Sequence, residues 1–94
     1  MEQPRVVVWI PVHLRRLAGG ARELSVEASN IAVLIDALAR QHPALESRLR
    51  DETGQVHRFI SLYVNGEDIR FLGGLEAPLA AGDVVSIVPA VSGG

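Results

Sequence analysis

One segment alone has the spacing of an amphipathic helix, and it decides what every other apolar segment must do. Ile31, Leu34, Ile35 and Leu38 fall at i, i+3, i+4 and i+7, a single apolar stripe. Ser29 and Asn30 stand just before it and supply N-cap oxygens. Pro43 lacks the N–H that would continue the helix, so it should end near Gln41 or His42. Leu45 and Leu49 then suggest a short helical turn before a loop over residues 51–55.

The other apolar segments read as strands. Val6-Val7-Val8-Trp9-Ile10 is short, β-branched and aromatic, with apolar residues on both faces. A loop ending in Gly19-Gly20 leads to residues 22–27, where Leu24 and Val26 alternate with polar neighbours. Residues 58–64 alternate again, and Asn65-Gly66 is a type I′ hairpin signal. Ile69-Arg70-Phe71 is the expected returning strand, and Glu67-Asp68 reads as a solvated edge. Gly82-Asp83 turns the chain into Val84-Val85-Ser86-Ile87-Val88. Pro89 should then end the ladder and start an extended tail.

One helix covers only one face of a sheet. The order β-β-α-β-β-β therefore predicts an α+β, β-grasp (ubiquitin-like) fold. Its mixed sheet has the first and last strands side by side at the centre, beneath one main helix. Residues 1–88 form the domain, and residues 89–94 form a flexible C-terminal tail ending in Gly93-Gly94. A chain of 94 residues without cysteine builds one core and has no thiolate chemistry. No apolar run approaches the roughly 20 residues of a membrane span, and the start lacks the pattern of a secretory leader. The expectation is a cytoplasmic protein with no membrane partner.

Nine arginines, no lysines and eleven acidic residues give a net charge of −2. Dispersed arginines on an acidic chain make no phosphate-tracking stripe, so nucleic acid is not an expected partner. Arg15, Arg16 and Arg22 read as a solvated loop. His13, His42 and His57 lie in separate segments without ligand spacing, so no metal site is expected. No G-x-S-x-G, P-loop or H-E-x-x-H motif is present, which argues against intrinsic catalysis.

Alternation assigns Val6, Val8, Ile10, Ile60, Leu62, Val64, Val85 and Ile87 to the helix-facing side. The opposite side then carries Val7, Trp9, Phe59, Ser61, Tyr63, Val84, Ser86 and Val88. An uncovered face holding three of the four aromatics is a candidate partner surface, centred on Trp9, Phe59, Tyr63 and Val88.

Two terminal glycines arise by chance in roughly one chain in 200. After the last strand of a β-grasp they acquire a reason, because backbone without a Cβ can thread a narrow enzyme channel. Residues 63–71, Tyr63-Val64-Asn65-Gly66-Glu67-Asp68-Ile69-Arg70-Phe71, and residues 82–94, from Gly82-Asp83 to Gly93-Gly94, resemble the MoaD/ThiS family of ubiquitin-like sulfur carriers. Val56-His57-Arg58-Phe59, Arg70-Phe71-Leu72-Gly73-Gly74-Leu75 and Pro89-Ala90-Val91 look most like the carriers of cysteine biosynthesis. Gly66 departs from the acidic or amide residue expected there, although it suits the turn.

The resemblance implies that Gly94 is the thiocarboxylate and adenylation site and that Gly93 gives it access. It implies a ThiF/MoeB-like adenylating enzyme that uses ATP, while the carrier itself binds no cofactor. In the cysteine branch it further implies a pyridoxal-phosphate-dependent cysteine synthase and a metalloprotease. Molybdopterin, thiamine, thiosugar or transfer-RNA thiolation are alternative destinations. A ubiquitin-like protein modifier and a non-transferring interaction module are alternatives of another class.

Overall fold

A computed structural model describes residues 2–90. Five strands form one sheet: β1 (Arg5–Trp9), β2 (Glu23–Glu27), β3 (Ile60–Val64), β4 (Glu67–Asp68) and β5 (Val84–Pro89). Their order is β2-β1-β5-β3-β4. β1 and β5 run parallel at the centre, and the other neighbours are antiparallel. Helix α1 (Ile31–Gln41) lies across one face, followed by the single turn α2 (Glu46–Leu49). This is the β-grasp expected from a lone amphipathic helix. Among the described residues, no helix is long and apolar enough to cross a membrane.

The helix begins where its capping oxygen is: the Asn30 carboxamide oxygen accepts the Val33 N–H at 2.9 Å. Ile31, Leu34, Ile35 and Leu38 are all buried, as are all eight residues assigned to the inner sheet face. Burial of each such Leu or Ile contributes about 1.5–3 kcal/mol, which is what holds the helix on the sheet.

The hairpin turn is built as its sequence requires, with Asn65 at φ 50° and Gly66 at φ 87°. Asn65 also ties the hairpin to the next strand. Its side-chain oxygen accepts the Val84 N–H at 2.9 Å, and its side-chain nitrogen donates to Asp83 Oδ1 at 3.0 Å.

Five expectations are corrected. The loop after β1 contains a 3₁₀ helix, Val12–Ala18, that buries Leu14 and Ala18 and ends on Gly19 at φ 67°. The strand after the helices starts at Ile60, because His57 draws the preceding residues into a turn. Its carbonyl accepts the Ile60 N–H and its Nδ1 accepts the Phe59 N–H. The returning strand is Glu67–Asp68, and Ile69–Phe71 is a 3₁₀ turn. Asp68 starts that turn by accepting the Arg70 N–H at 2.9 Å, so it is a buried cap and not a solvated edge.

The last strand runs one residue farther than expected, through Pro89, which pairs with Ile60. The reason lies in the ladder. Ala90 donates to the Phe59 carbonyl at 2.8 Å, so residues 88 and 90 direct their N–H groups toward β3. The Pro89 nitrogen faces the other way, toward the flank that β1 has already left. On that flank, Val7 donates to Asp83, and continuing this parallel register would require N–H donors at Pro11 and Pro89. Neither proline has one. The central ladder therefore stops at Trp9 and leaves a notch.

Candidate functional site

The sheet face opposite α1 carries no helix. Across it, Trp9, Ser86 and Tyr63 stand in one row, because Ser86 pairs with both neighbours. Asp68, opposite Tyr63, ends the row at the sheet edge. Val88 lies in the next row beside Ser61, toward the tail, and Val7 pairs with Val84 on the other side. Trp9 is 54% exposed and Val88 38%, while Tyr63 is half-buried. The fold thus brings Trp9, Tyr63 and Val88 onto one surface.

Phe59 is placed apart from these three. It lies in the turn before β3, with its ring 5.0 Å from the His57 ring and the Arg58 guanidinium 5.0 Å from its centroid. It remains 57% exposed, and its carbonyl holds Ala90. It therefore ties the last described residue to the turn before β3.

A charged clamp bounds the face at β4. The Arg70 guanidinium reaches back to Asp68, with Nη2 to Oδ2 at 2.8 Å and Nε at 3.2 Å from both oxygens. These bonds, then that from the Arg70 backbone N–H, hold the Asp68 carboxyl below its ordinary value of 3.8. Arg70 itself stays largely in water.

At the opposite side, the notch beside Trp9 opens into a groove of about 830 Å³, walled by Trp9, Pro11 and Val88. Arg15, Arg22 and Glu23 form its polar lining, and Arg15 Nε donates to the Ile10 carbonyl at 3.1 Å. Two arginines read as solvated loop in the sequence therefore border the aromatic face. The available signal was their place beside Pro11, which ends β1, and Gly19-Gly20, which turn the chain back.

The face can receive apolar side chains from a partner, with Arg15 and Arg22 at one border and the Asp68–Arg70 ion pair at another. Among the described residues no group of three His, Cys, Asp or Glu side chains is placed to hold a metal ion. Gly93 and Gly94, the expected reactive end and its access residue, lie outside the described residues.

Comparison with known proteins adds four findings. The ThiS family model matches residues 8–94. The chain is 42% identical over 91 residues to the sulfur carrier protein CysO of Mycobacterium tuberculosis, covering 95% of this chain and 98% of that protein. In the crystal structure of the Amycolatopsis orientalis BexX/CysO complex, a chain 43% identical superposes with a TM-score of 0.87, covering 95% of this chain and 99% of that one. The solution structure of small archaeal modifier protein 1 from Methanosarcina acetivorans superposes at 0.83 with 31% identity, over 100% and 99% of the two chains.

Proposed function

The chain belongs to the ThiS family, and from that premise we propose that it is a sulfur carrier, a protein co-substrate and not a catalyst, whose reactive group is the carboxylate of Gly94. The observation that carries this reading is the family match, which extends to Gly94. A carboxylate is a poor electrophile, because its charge repels nucleophiles and oxide is a bad leaving group. A ThiF/MoeB-like enzyme overcomes both obstacles with ATP. A Gly94 oxygen attacks the α-phosphorus and pyrophosphate leaves, giving the acyl-adenylate. A sulfide-equivalent nucleophile then attacks the acyl carbon and AMP leaves, giving the thiocarboxylate.

The chain's own residues supply position for these steps. Trp9, Tyr63 and Val88 dock the partner, and the bond between Phe59 and Ala90 fixes where the tail begins relative to that surface. Similarity to CysO supports cysteine formation as the destination of the sulfur, with a pyridoxal-phosphate-dependent synthase as acceptor and a metalloprotease releasing the product. The cytoplasm is the proposed compartment.

A second reading has its own support. Likeness to small archaeal modifier protein 1 favours a carrier that also forms isopeptide bonds through Gly94. Intact mass separates the two after incubation with an activating enzyme, magnesium ATP, sulfide and a lysine-bearing target protein. A carrier gains one sulfur in place of one oxygen, whereas a modifier gains a whole target protein. An unchanged mass with an activating enzyme proven on its own carrier overturns both.

A further inference from the structure

The side chains of His57, Arg58 and Phe59 are not used in the docking and sulfur transfer described above. His57 is anchored by its N–H to the Leu49 carbonyl at 2.9 Å, which sets it beside the end of α2. Its Nδ1 accepts the Phe59 N–H at 3.3 Å, so in the neutral ring the proton sits on Nε2 and that edge is free to donate. The 3₁₀ helix Val12–Ala18 brings His13 to the same place. These elements border an open pocket of about 440 Å³ lined by His13, Ser47, Arg48 and His57, with Leu14 and Phe59 among its apolar walls.

Every polar side chain in that lining can donate a hydrogen bond, and no carboxylate lines it. Arg5, Arg50 and Arg70 each hold an acidic side chain, whereas among the described residues none lies within ion-pair distance of Arg48. The Arg58 guanidinium over Phe59 adds further positive charge nearby.

We propose that this pocket binds the phosphate group of a small phosphate monoester. Donors from three separate segments suit an anion with three oxygens and close to two negative charges better than a planar carboxylate. Leu14 and Phe59 give an organic substituent an apolar wall. Phe59 also holds Ala90 through its carbonyl, so the ligand would sit beside the last described residue. The site stands on different residues from Trp9, Tyr63 and Val88, and it does not depend on the sulfur-carrier reading.

The test is an amide NMR titration of the isotope-labelled chain with inorganic phosphate, ionic strength held constant with chloride, and acetate titrated in parallel. Saturable shifts should concentrate at His13, Ser47, Arg48, His57 and Phe59. Affinity should fall roughly tenfold or more in Arg48→Gln, since a charged hydrogen-bond donor is lost. Ser47→Ala should weaken binding less, and Arg16→Gln, on an exposed residue outside the pocket, should leave it unchanged. Undisturbed resonances elsewhere report that each variant is folded. Shifts that never saturate, that spread over all the arginines, or that persist at full affinity in Arg48→Gln overturn the proposal. Acetate saturating the same amides at the same concentration overturns the assignment to phosphate.

Discussion

The Phe59 carbonyl accepts the Ala90 N–H at 2.8 Å, so the last described residue is tied to the turn that leads into β3. Ile60 pairs with Pro89, Ser61 with Val88 and Tyr63 with Ser86 in the same ladder. Ala90 is therefore in fixed register with the row containing Trp9. A partner seated on that row meets Ala90 at a set distance, and this linkage underlies the functional predictions.

Deleting Gly94 withdraws about 3.3–3.6 Å of reach, and misplacement of even ~1 Å can cost on the order of 100-fold in rate. Pyrophosphate exchange by the activating enzyme should fall by that order or more, with the thermal melt unchanged. Gly93→Val should also fail, although its carboxylate keeps full reach, because a branched side chain must enter a channel shaped for bare backbone. Full exchange by both variants would remove Gly94 from the mechanism.

Trp9→Ala and Tyr63→Ala should each weaken the complex with the activating enzyme by roughly 1–3 kcal/mol. Trp9 is more than half exposed, so its loss should change the denaturation midpoint little. Titration calorimetry checks the first point and a denaturant curve the second. Native affinity in both variants would mean that this face is not the docking surface.

Leu34, a buried residue of α1, is 1% exposed. Leu34→Ala should lower stability by about 2–5 kcal/mol, combining lost burial with a residual cavity. An unchanged urea midpoint would contradict the packing of α1 on the sheet.

The Asp68 carboxyl is held below its usual 3.8 by the Arg70 guanidinium. A folded-state value below the unfolded one stabilises the protein above the unfolded value, and the benefit is lost as pH falls through the folded value. The melting-temperature gap between the native chain and Asp68→Asn should hold steady above about pH 5 and close below about pH 4. A gap that persists to the acid limit would mean that the pair is not charged. Asp51, held low by the Thr53 hydroxyl and N–H, stays intact in both chains and does not disturb the comparison.

Periodicity carried much of this architecture in the sequence. The stripe from Ile31 to Leu38, the cap at Asn30 and the turn at Asn65-Gly66 each have a local cause, and each is found where that cause lies. What local pattern missed depends on side chains reaching their own or a distant backbone. Asp68 looks like an edge residue until Arg70 folds over it. Phe59 alternates correctly for a strand, yet His57 Nδ1 takes its N–H and turns the chain. The Val12–Ala18 helix did leave a trace, with Leu14 and Ala18 four apart and Gly19 behind them. On the sheet face opposite α1, alternation placed Trp9, Tyr63 and Val88 together. It could not show that two prolines open a groove beside them.

Those prolines have a consequence for how this protein meets copies of itself. An exposed stretch of β-backbone recruits other strands when it offers alternating donors and acceptors. Beyond Trp9 the flank of β5 presents the Ile87 carbonyl, while neither Pro11 nor Pro89 has an N–H to complete the pattern. A second molecule therefore finds no template there for extending the sheet or exchanging a strand. The end of the domain next to the tail resists self-assembly through its backbone, even at concentrations where an unguarded edge would seed fibres.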